Sequence, residues 1–532
     1  MPGLPVSGTR ARSTPLRAWQ REALSRMAQW RNGTFLMSAA PGAGKTRPAL
    51  ELARSELGAG AIRSVVVACP TAPLTRQWAR AASQLGVELA PDCDSPRPPS
   101  GFHGVAVTYA RIAKAPRRWG RALPSGSLVI ADEAHHLGEE LAWGEGFSTA
   151  FGGCARWLLL SGTPFRSDAT PIPGVTYDRA GLAEPDHAYT YADAIADRVC
   201  RPVAFVAYDG ALSWRSGDDV IESSFETVLS TREAGRRYRT AISTELPDGL
   251  PRILREADSK LQSIRRAGHG DAGGLVIAAD SAHARRIAAL LRDCTGRAPV
   301  VVLHAEARAA EKLVAFTRSR DPWIVAVNMV SEGVDIPRLR VGVYATAAKT
   351  PLVFRQIVGR FVRTIPGRPV EPSWLYVPAD PILRDHAAGI ADEIRHALAD
   401  PDEAGDGSEF EPQERVMTER GEEPAFVPLS ADVAPQMSLF GPPGGAVVTT
   451  AAAPPPPPVE QFDERPAFER RAMLRSERHR LVSEVTRRDR TDHREVNAWL
   501  NRRVGVTSVD EATLEQLQRS VELLVGRLTR RR

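Results

Sequence analysis

Nine short apolar runs, and the helical stretches between them, constrain this chain more than any other feature. They are Phe35–Met37, Val65–Cys69, Val105–Val107, Leu128–Ala131 and Leu158–Leu160, then Leu275–Ala278, Val300–Leu303, Ile324–Val327 and Val341–Ala345. Each run has the length of a strand, and alternation of such strands with helices predicts an α/β fold with parallel sheets covered on both faces. The gap between the two sets predicts two such domains, residues 1–199 and 273–400, joined by a partly helical connector over 200–272. No internal repeat at a fixed period is evident. No run approaches the roughly 18 apolar residues of a membrane span, and residues 1–12 lack the apolar stretch of a leader peptide. A cytoplasmic location with no membrane partner is therefore expected.

Residues 401–464 read differently. They hold 13 acidic residues against 2 arginines, with 12 prolines and the run Pro454–Pro458. Like-charge repulsion and few apolar groups leave chain entropy unopposed, so a disordered acidic Pro-rich linker is expected. Residues 465–532 carry 17 arginines against 10 acids. There Leu514, Leu517, Val521, Leu524 and Leu528 recur at helical spacing behind a Thr513–Gln516 capping box, and an earlier helix through Val496, Trp499 and Leu500 ends at Gly505. Two heptads are too few to specify a coiled coil, so the stripe predicts the core of a small helical module. The net charge of +5 resolves into +9 over residues 1–400, −11 over the linker and +7 over the module. Both folded parts are basic, as suits an acidic partner. Arg487, Arg488, Arg490, Arg494, Arg502 and Arg503 either meet phosphates or form a solvated basic surface.

The five cysteines have neither zinc-ligand nor redox-motif spacing and read as reduced, structural residues. The chemistry is carried elsewhere. Ser38-Ala39-Ala40-Pro41-Gly42-Ala43-Gly44-Lys45-Thr46 follows an apolar strand and opens a helical segment, the context a phosphate-binding loop requires. The amides of Pro41–Thr46, apart from proline's, would cradle the phosphates of ATP. Lys45 would reach the β- and γ-phosphates, and Thr46 would hold Mg²⁺. Ala39 stands where the strict pattern has glycine. The buried-type strand Leu128–Ala131 ends in Asp132-Glu133-Ala134-His135, with acids at the strand end where such sheets bind ligands. Asp132 is placed to hold Mg²⁺ and Glu133 to deprotonate the attacking water. His135 and His136 give no reason to expect a metal site of their own.

With those two motifs in place, the chain resembles a superfamily 2 helicase of the DEAD/DEAH-box type, over residues 14 to about 380. The resemblance implies two RecA-like domains in tandem and assigns further residues. Arg17 and Gln20 match the adenine-reading block. Pro70, Thr71 and Thr108 match the motifs that grip a nucleic-acid strand. His135, Ser161, Thr163 and Gln356 match positions that couple hydrolysis to strand movement. Gly333 and Asp335 lie in the block joining nucleotide to nucleic acid, and Arg360 and Arg363 match the arginine fingers. Such arginines stabilise the charge spread over the γ-oxygens, worth ~10³–10⁵ in rate in comparable enzymes. Carried on the second sheet, they would make hydrolysis conditional on domain closure.

Gln356-Ile357-Val358-Gly359-Arg360-Phe361-Val362-Arg363, Ser161-Gly162-Thr163-Pro164 and the early Leu16-Arg17-Ala18-Trp19-Gln20 segment are similar to the branch containing type III restriction motor subunits and DNA repair helicases. That likeness favours DNA, duplex, forked or single-stranded. An RNA helicase, and a DNA-bound ATP switch recruiting partners with little unwinding, stand as alternatives. No Pro-Asp…Glu-x-Lys pattern is present, so nuclease activity is not expected within the chain. Gln436-Met437-Ser438-Leu439-Phe440 is similar to the bacterial sliding-clamp-binding peptide. Arg236, Arg237 and Tyr238 belong either to a plain connector or to a helical insertion that touches DNA.

Overall fold

A computed structural model describes residues 15–139, 141–162, 171–179, 183–303, 306, 308–327, 336–365, 367–398, 426–437 and 465–529. They divide into two compact units. One holds the residues up to Ala39, Gly44–Ala188 and the C-terminal helices, and the other holds Ala40–Ala43 and Tyr189–Pro455.

The first sheet contains β1 (Gly33–Ala39), β2 (Ser64–Cys69), β3 (Leu89–Pro91), β4 (Gly104–Thr108), β5 (Ser127–Asp132), β6 (Arg156–Ser161) and β7 (His187–Tyr189). Their order across the sheet is β3-β4-β2-β5-β6-β1-β7. Every residue of β2 and β5 is buried. This explains why these strands read as unbroken apolar runs: helices cover both faces, so no face is left for polar alternation. On one face Leu36, Val66, Val105, Val129 and Leu159 pack with Trp119, Phe147 and Phe151 from the covering helices. Parallel register sets Ser38 opposite Ser161 and Leu160 opposite Asp132. The carboxyl ends of β1, β6 and β5 thus form one edge.

The second sheet contains β8 (Val203–Ser216), β9 (Asp219–Ser223), β10 (Gly273–Ala278), β11 (Val300–Val302), β12 (Trp323–Val327), β13 (Leu339–Ala345), β14 (Ser373–Pro378) and β15 (Phe426–Met437). Their order is β11-β12-β10-β13-β14-β8-β15, with β9 beside β8. Two expectations change here. Part of the predicted connector is β8, a full member of the sheet that pairs in parallel with β14. In the same region Arg236, Arg237 and Tyr238 are buried. Arg236 pairs with Glu233 at 2.8 Å, Arg237 donates to the Ser224 and Thr227 carbonyls, and the Tyr238 hydroxyl donates to the Thr346 carbonyl. They are structural groups rather than a DNA-facing insertion. Within the predicted linker, Phe426–Met437 forms β15, antiparallel to β8. Segment-wide charge hid a local stretch in which Ala431 and Val433 alternate with exposed Asp432 and Ala434. That period-two pattern suits a sheet edge.

Helices Ala467–Asp489, His493–Val504 and Leu514–Thr529 form the C-terminal module. Leu481, Val482, Val485, Val496, Leu500 and Leu524 share its core. Thr513 and Gln516 exchange backbone-to-side-chain bonds at 2.9 and 3.2 Å, and Gly505 closes the middle helix at φ 74°. The module is not separate from the first unit. Ala467 packs with Ala90 of β3 and Phe102, Arg80 pairs with Glu469 at 2.7 Å, and the Ala467 amide donates to Glu88 at 3.2 Å. This contact covers the edge strand of the first sheet. Arg488 donates to the Leu528 and Arg527 carbonyls, closing the last helix, whereas Arg487, Arg490, Arg494, Arg502 and Arg503 are exposed. Leu524→Ala should lower stability by about 2–5 kcal/mol through lost transfer energy and a residual cavity. Urea unfolding followed by far-ultraviolet circular dichroism checks this.

Candidate nucleotide site

The loop after β1 is shaped by its glycines. Gly42 and Gly44 sit at φ 85° and 94°, a left-handed backbone open to glycine at little cost. The loop leads into helix Thr46–Gly58, which has no side-chain cap and no acid in its first turn. Its orphan amides and dipole thus favour an anion. Lys45 is buried, its Nζ 3.3 and 3.5 Å from the two carboxylate oxygens of Glu133.

Asp132 and Glu133 stand at the end of β5, level with the loop across β6. The Trp78 indole N–H donates to Asp132 Oδ2 at 2.7 Å, and the Tyr109 hydroxyl donates to the Asp132 carbonyl at 2.7 Å. Glu133 has φ 51°, unusual for a residue with a side chain, and its amide donates to Asp132 Oδ1 at 3.1 Å. Burial, and then the neighbouring Glu133 charge, raise Asp132 above the ordinary carboxylate range. Burial also pushes Glu133 up, but the Lys45 ammonium, which donates to it, outweighs burial and holds this carboxyl low. Glu133 therefore stays ionised near neutral pH. For His135, burial followed by His136 lowers the imidazole to about 3, so the ring is neutral and its Nδ1 lies 3.1 Å from Ser161 Oγ.

The remaining predicted residues fall as follows. In helix Ala18–Gln29, Gln20 accepts from the Arg17 amide at 3.0 Å and donates to the Gly44 carbonyl at 3.1 Å. Its amide still has one donor and one lone pair to offer a base edge. Pro70 and Thr71 follow β2, and Thr108 ends β4 opposite Cys69, so these three share the carboxyl edge of adjacent strands. Thr71 stands at the N-cap position of helix Ala72–Ser83 without a side-chain capping bond, and Thr108 accepts from the Arg111 amide. In the second unit, helix Pro351–Phe361 carries Gln356 and Arg360, and Arg363 follows it. A Cβ on Gly42, which groups with that unit, would meet Arg363 Cδ at 2.8 Å, so the arginine lies against the loop tip. Thr163, Gly333 and Asp335 lie outside the described residues. Among described residues no His/Cys/Asp/Glu group has the makings of a separate metal centre, and no helix is long and apolar enough to cross a membrane.

Sequence reasoning missed Trp78. Its helical spacing reads as core, and nothing local marks the indole as a donor to a carboxylate on another strand. Trp78→Phe should cost about 1–3 kcal/mol, because a buried carboxylate oxygen loses its donor. An unchanged urea midpoint would mean that Asp132 does not depend on that bond.

The chain is 41% identical over 447 residues to the uncharacterized protein Rv2917 of Mycobacterium tuberculosis, covering 82% of this chain and 73% of that protein. It belongs to the family of Rv2917. Residues 13–166 also match the family model described as type III restriction enzyme, res subunit. That match spans the loop, the Asp132-Glu133 pair and Ser161, the residues on which the likeness to superfamily 2 helicases rests. Among solved structures it is similar to the ATP-dependent Type ISP restriction-modification enzyme LlaBIII bound to DNA, at 14% identity and a TM-score of 0.46, over 74% of this chain and 30% of that one. It is similar too to S. cerevisiae Dbp5 bound to RNA and ADP BeF3, at 12% identity and a TM-score of 0.45, over 71% and 87%. Neither likeness distinguishes DNA from RNA.

Proposed function

We propose that the chain is an ATP-dependent DNA helicase or translocase that couples ATP hydrolysis to movement on nucleic acid. The observation that carries this reading is the alignment of Lys45, Asp132 and Glu133 on one strand edge, with Lys45 poised against Glu133 in the space the phosphates would take. Lys45 binds the β- and γ-phosphates, and Glu133, held ionised, accepts the proton of the attacking water. Thr46 and Asp132 would hold Mg²⁺, which supplies charge neutralisation of the phosphates. The site fits such an ion, because Asp132 is a buried carboxylate raised by burial and relieved by a cation. Gln20 positions the base, His135 and Ser161 link the carboxylates to β6, and Arg360 and Arg363 serve as arginine fingers. Pro70, Thr71 and Thr108 contact the strand.

DNA is favoured by the match to the restriction res subunit. The deciding experiment is ATP turnover with single-stranded DNA, duplex DNA and RNA, alongside strand displacement. Stimulation by RNA alone would replace the reading with an RNA helicase. Stimulation by DNA without displacement or translocation would leave a DNA-bound ATP switch. Sliding-clamp binding through Gln436–Phe440 would require Gln436 and Met437 to leave their pairing with Ala207 and Val206. Ser438–Phe440 lie outside the described residues. A peptide spanning 435–441 tests this reading directly, and no binding at tens of micromolar removes it.

A further inference from the structure

The second unit contains a cavity of about 250 Å³ lined by Arg201, His269, Arg340, Arg368 and Glu371. These residues stand at the entry of β8, β10, β13 and β14, four adjacent strands. The cavity therefore sits at the amino-terminal edge of that sheet, opposite the edge where such folds bind their principal ligand.

Its charges are unbalanced. Arg201 is 3% exposed, yet its one side-chain hydrogen bond among described residues is a 3.4 Å donation to the Pro337 carbonyl. Its Nε is buried without a partner, and no carboxylate lies within ion-pair distance of it among those residues. Arg340 is as deeply buried; it meets Glu371 at 2.8 Å, His269 Nδ1 at 2.9 Å and the Pro372 carbonyl at 3.0 Å, and its Nε is likewise unpartnered. Because His269 Nδ1 accepts from Arg340, Nε2 carries the ring proton; that atom is buried without a hydrogen bond, and Asp271 Oδ1, already paired with Arg368, stands 3.7 Å from it. Arg368, on the rim, pairs with Asp271 at 3.0 Å. Three guanidiniums and an N–H thus face two carboxylates, and a buried unpaired charge is strongly unfavourable unless something compensates it.

We propose that this cavity binds hydrogen phosphate, held by the guanidiniums of Arg201, Arg340 and Arg368 and by the His269 Nε2–H. Planar forks of N–H donors suit a tetrahedral oxoanion. Glu371, half exposed at the rim, selects among such anions. It accepts the proton that hydrogen phosphate retains near neutral pH, whereas sulfate has none to offer and a phosphate monoester is mostly unprotonated there. Burial, then Arg340, pushes Arg201 down to about 10 and His269 to about 4, the strain an anion would relieve. The Arg201 amide holds the Val362 carbonyl at 2.8 Å, one residue before Arg363, so occupancy would be felt at the arginine motif. That consequence rests on the proposed ATPase reading; the binding itself does not.

The test uses the full chain carrying Lys45→Ala, which silences phosphate binding at the nucleotide loop. Phosphate is titrated by calorimetry at pH 7.5 and constant ionic strength. One saturable site with a dissociation constant of about 0.1–1 mM is expected, with sulfate and AMP each weaker by about tenfold or more. Arg201→Met and, separately, Arg368→Ala in the same background should each weaken phosphate by about tenfold. Circular dichroism establishes that Arg201→Met is folded, and the rim variant carries the test if it is not. No saturation below about 10 mM, or binding indifferent to these substitutions, overturns the site. Sulfate or AMP binding as tightly as phosphate overturns the assignment to hydrogen phosphate.

Discussion

Lys45→Ala should lower nucleic-acid-stimulated ATP turnover by on the order of 10³-fold while leaving the far-ultraviolet circular dichroism unchanged. In a site shielded from water a positioned cation is worth far more than at a surface, and phosphoryl transfer depends on positioning and charge stabilisation rather than on covalent chemistry. Lys45 is one of only five lysines in the chain and its ammonium is buried against Glu133. No neighbouring lysine can substitute for it. Glu133→Gln separates binding from chemistry. It keeps the shape of the side chain and the loop that holds nucleotide, but removes the proton acceptor, so nucleotide affinity should persist while turnover falls to a similar degree. Near-normal turnover in either variant would sink the ATPase reading.

Arg363→Ala should reduce turnover by about 10³-fold with nucleotide affinity changed by less than about tenfold, because an arginine finger acts on charge that develops in the transition state. Arg363→Lys should recover little of the loss. A lysine keeps the charge but presents a point donor in place of the planar fork that spans two oxygens. The measurement is single-turnover hydrolysis beside equilibrium binding of a nucleotide analogue. A variant that lost binding in parallel with turnover would make Arg363 a ground-state contact, and an unaffected rate would remove it from the mechanism.

Much of this protein was legible residue by residue. The apolar runs gave the position of every core strand they named, because strands buried on both faces must be apolar throughout, and that demand is local. The glycine turn after β1 was equally readable, since left-handed backbone at Gly42 and Gly44 restricts which residues can stand there. The capping box at Thr513 and the stop at Gly505 came from short-range hydrogen bonding and are present as expected. What failed was reasoning from averages. Counting charge over residues 401–464 concealed the twelve residues of β15, and treating residues 200–272 as a connector overlooked β8. β8 runs on for fourteen residues, mixing buried and exposed positions, and it pairs with β14 from beyond residue 370 and with β15 from beyond 425.

The sequence by itself determined the local pieces: which loop needs glycine at its turns, which strand ends in paired carboxylates, and where the last helices start and stop. Each of those depends on residues within about a dozen positions of one another. Only the tertiary structure decided the environments that give such groups their properties. Trp78 reaches Asp132 across 54 positions, the C-terminal helices return to cover β3, and Arg201, His269, Arg340 and Arg368 meet at one end of four strands. Parallel strands joined by helices bring together residues far apart in the chain. A guanidinium that reads as solvated surface in the sequence can thereby become a buried, unpaired charge in the fold.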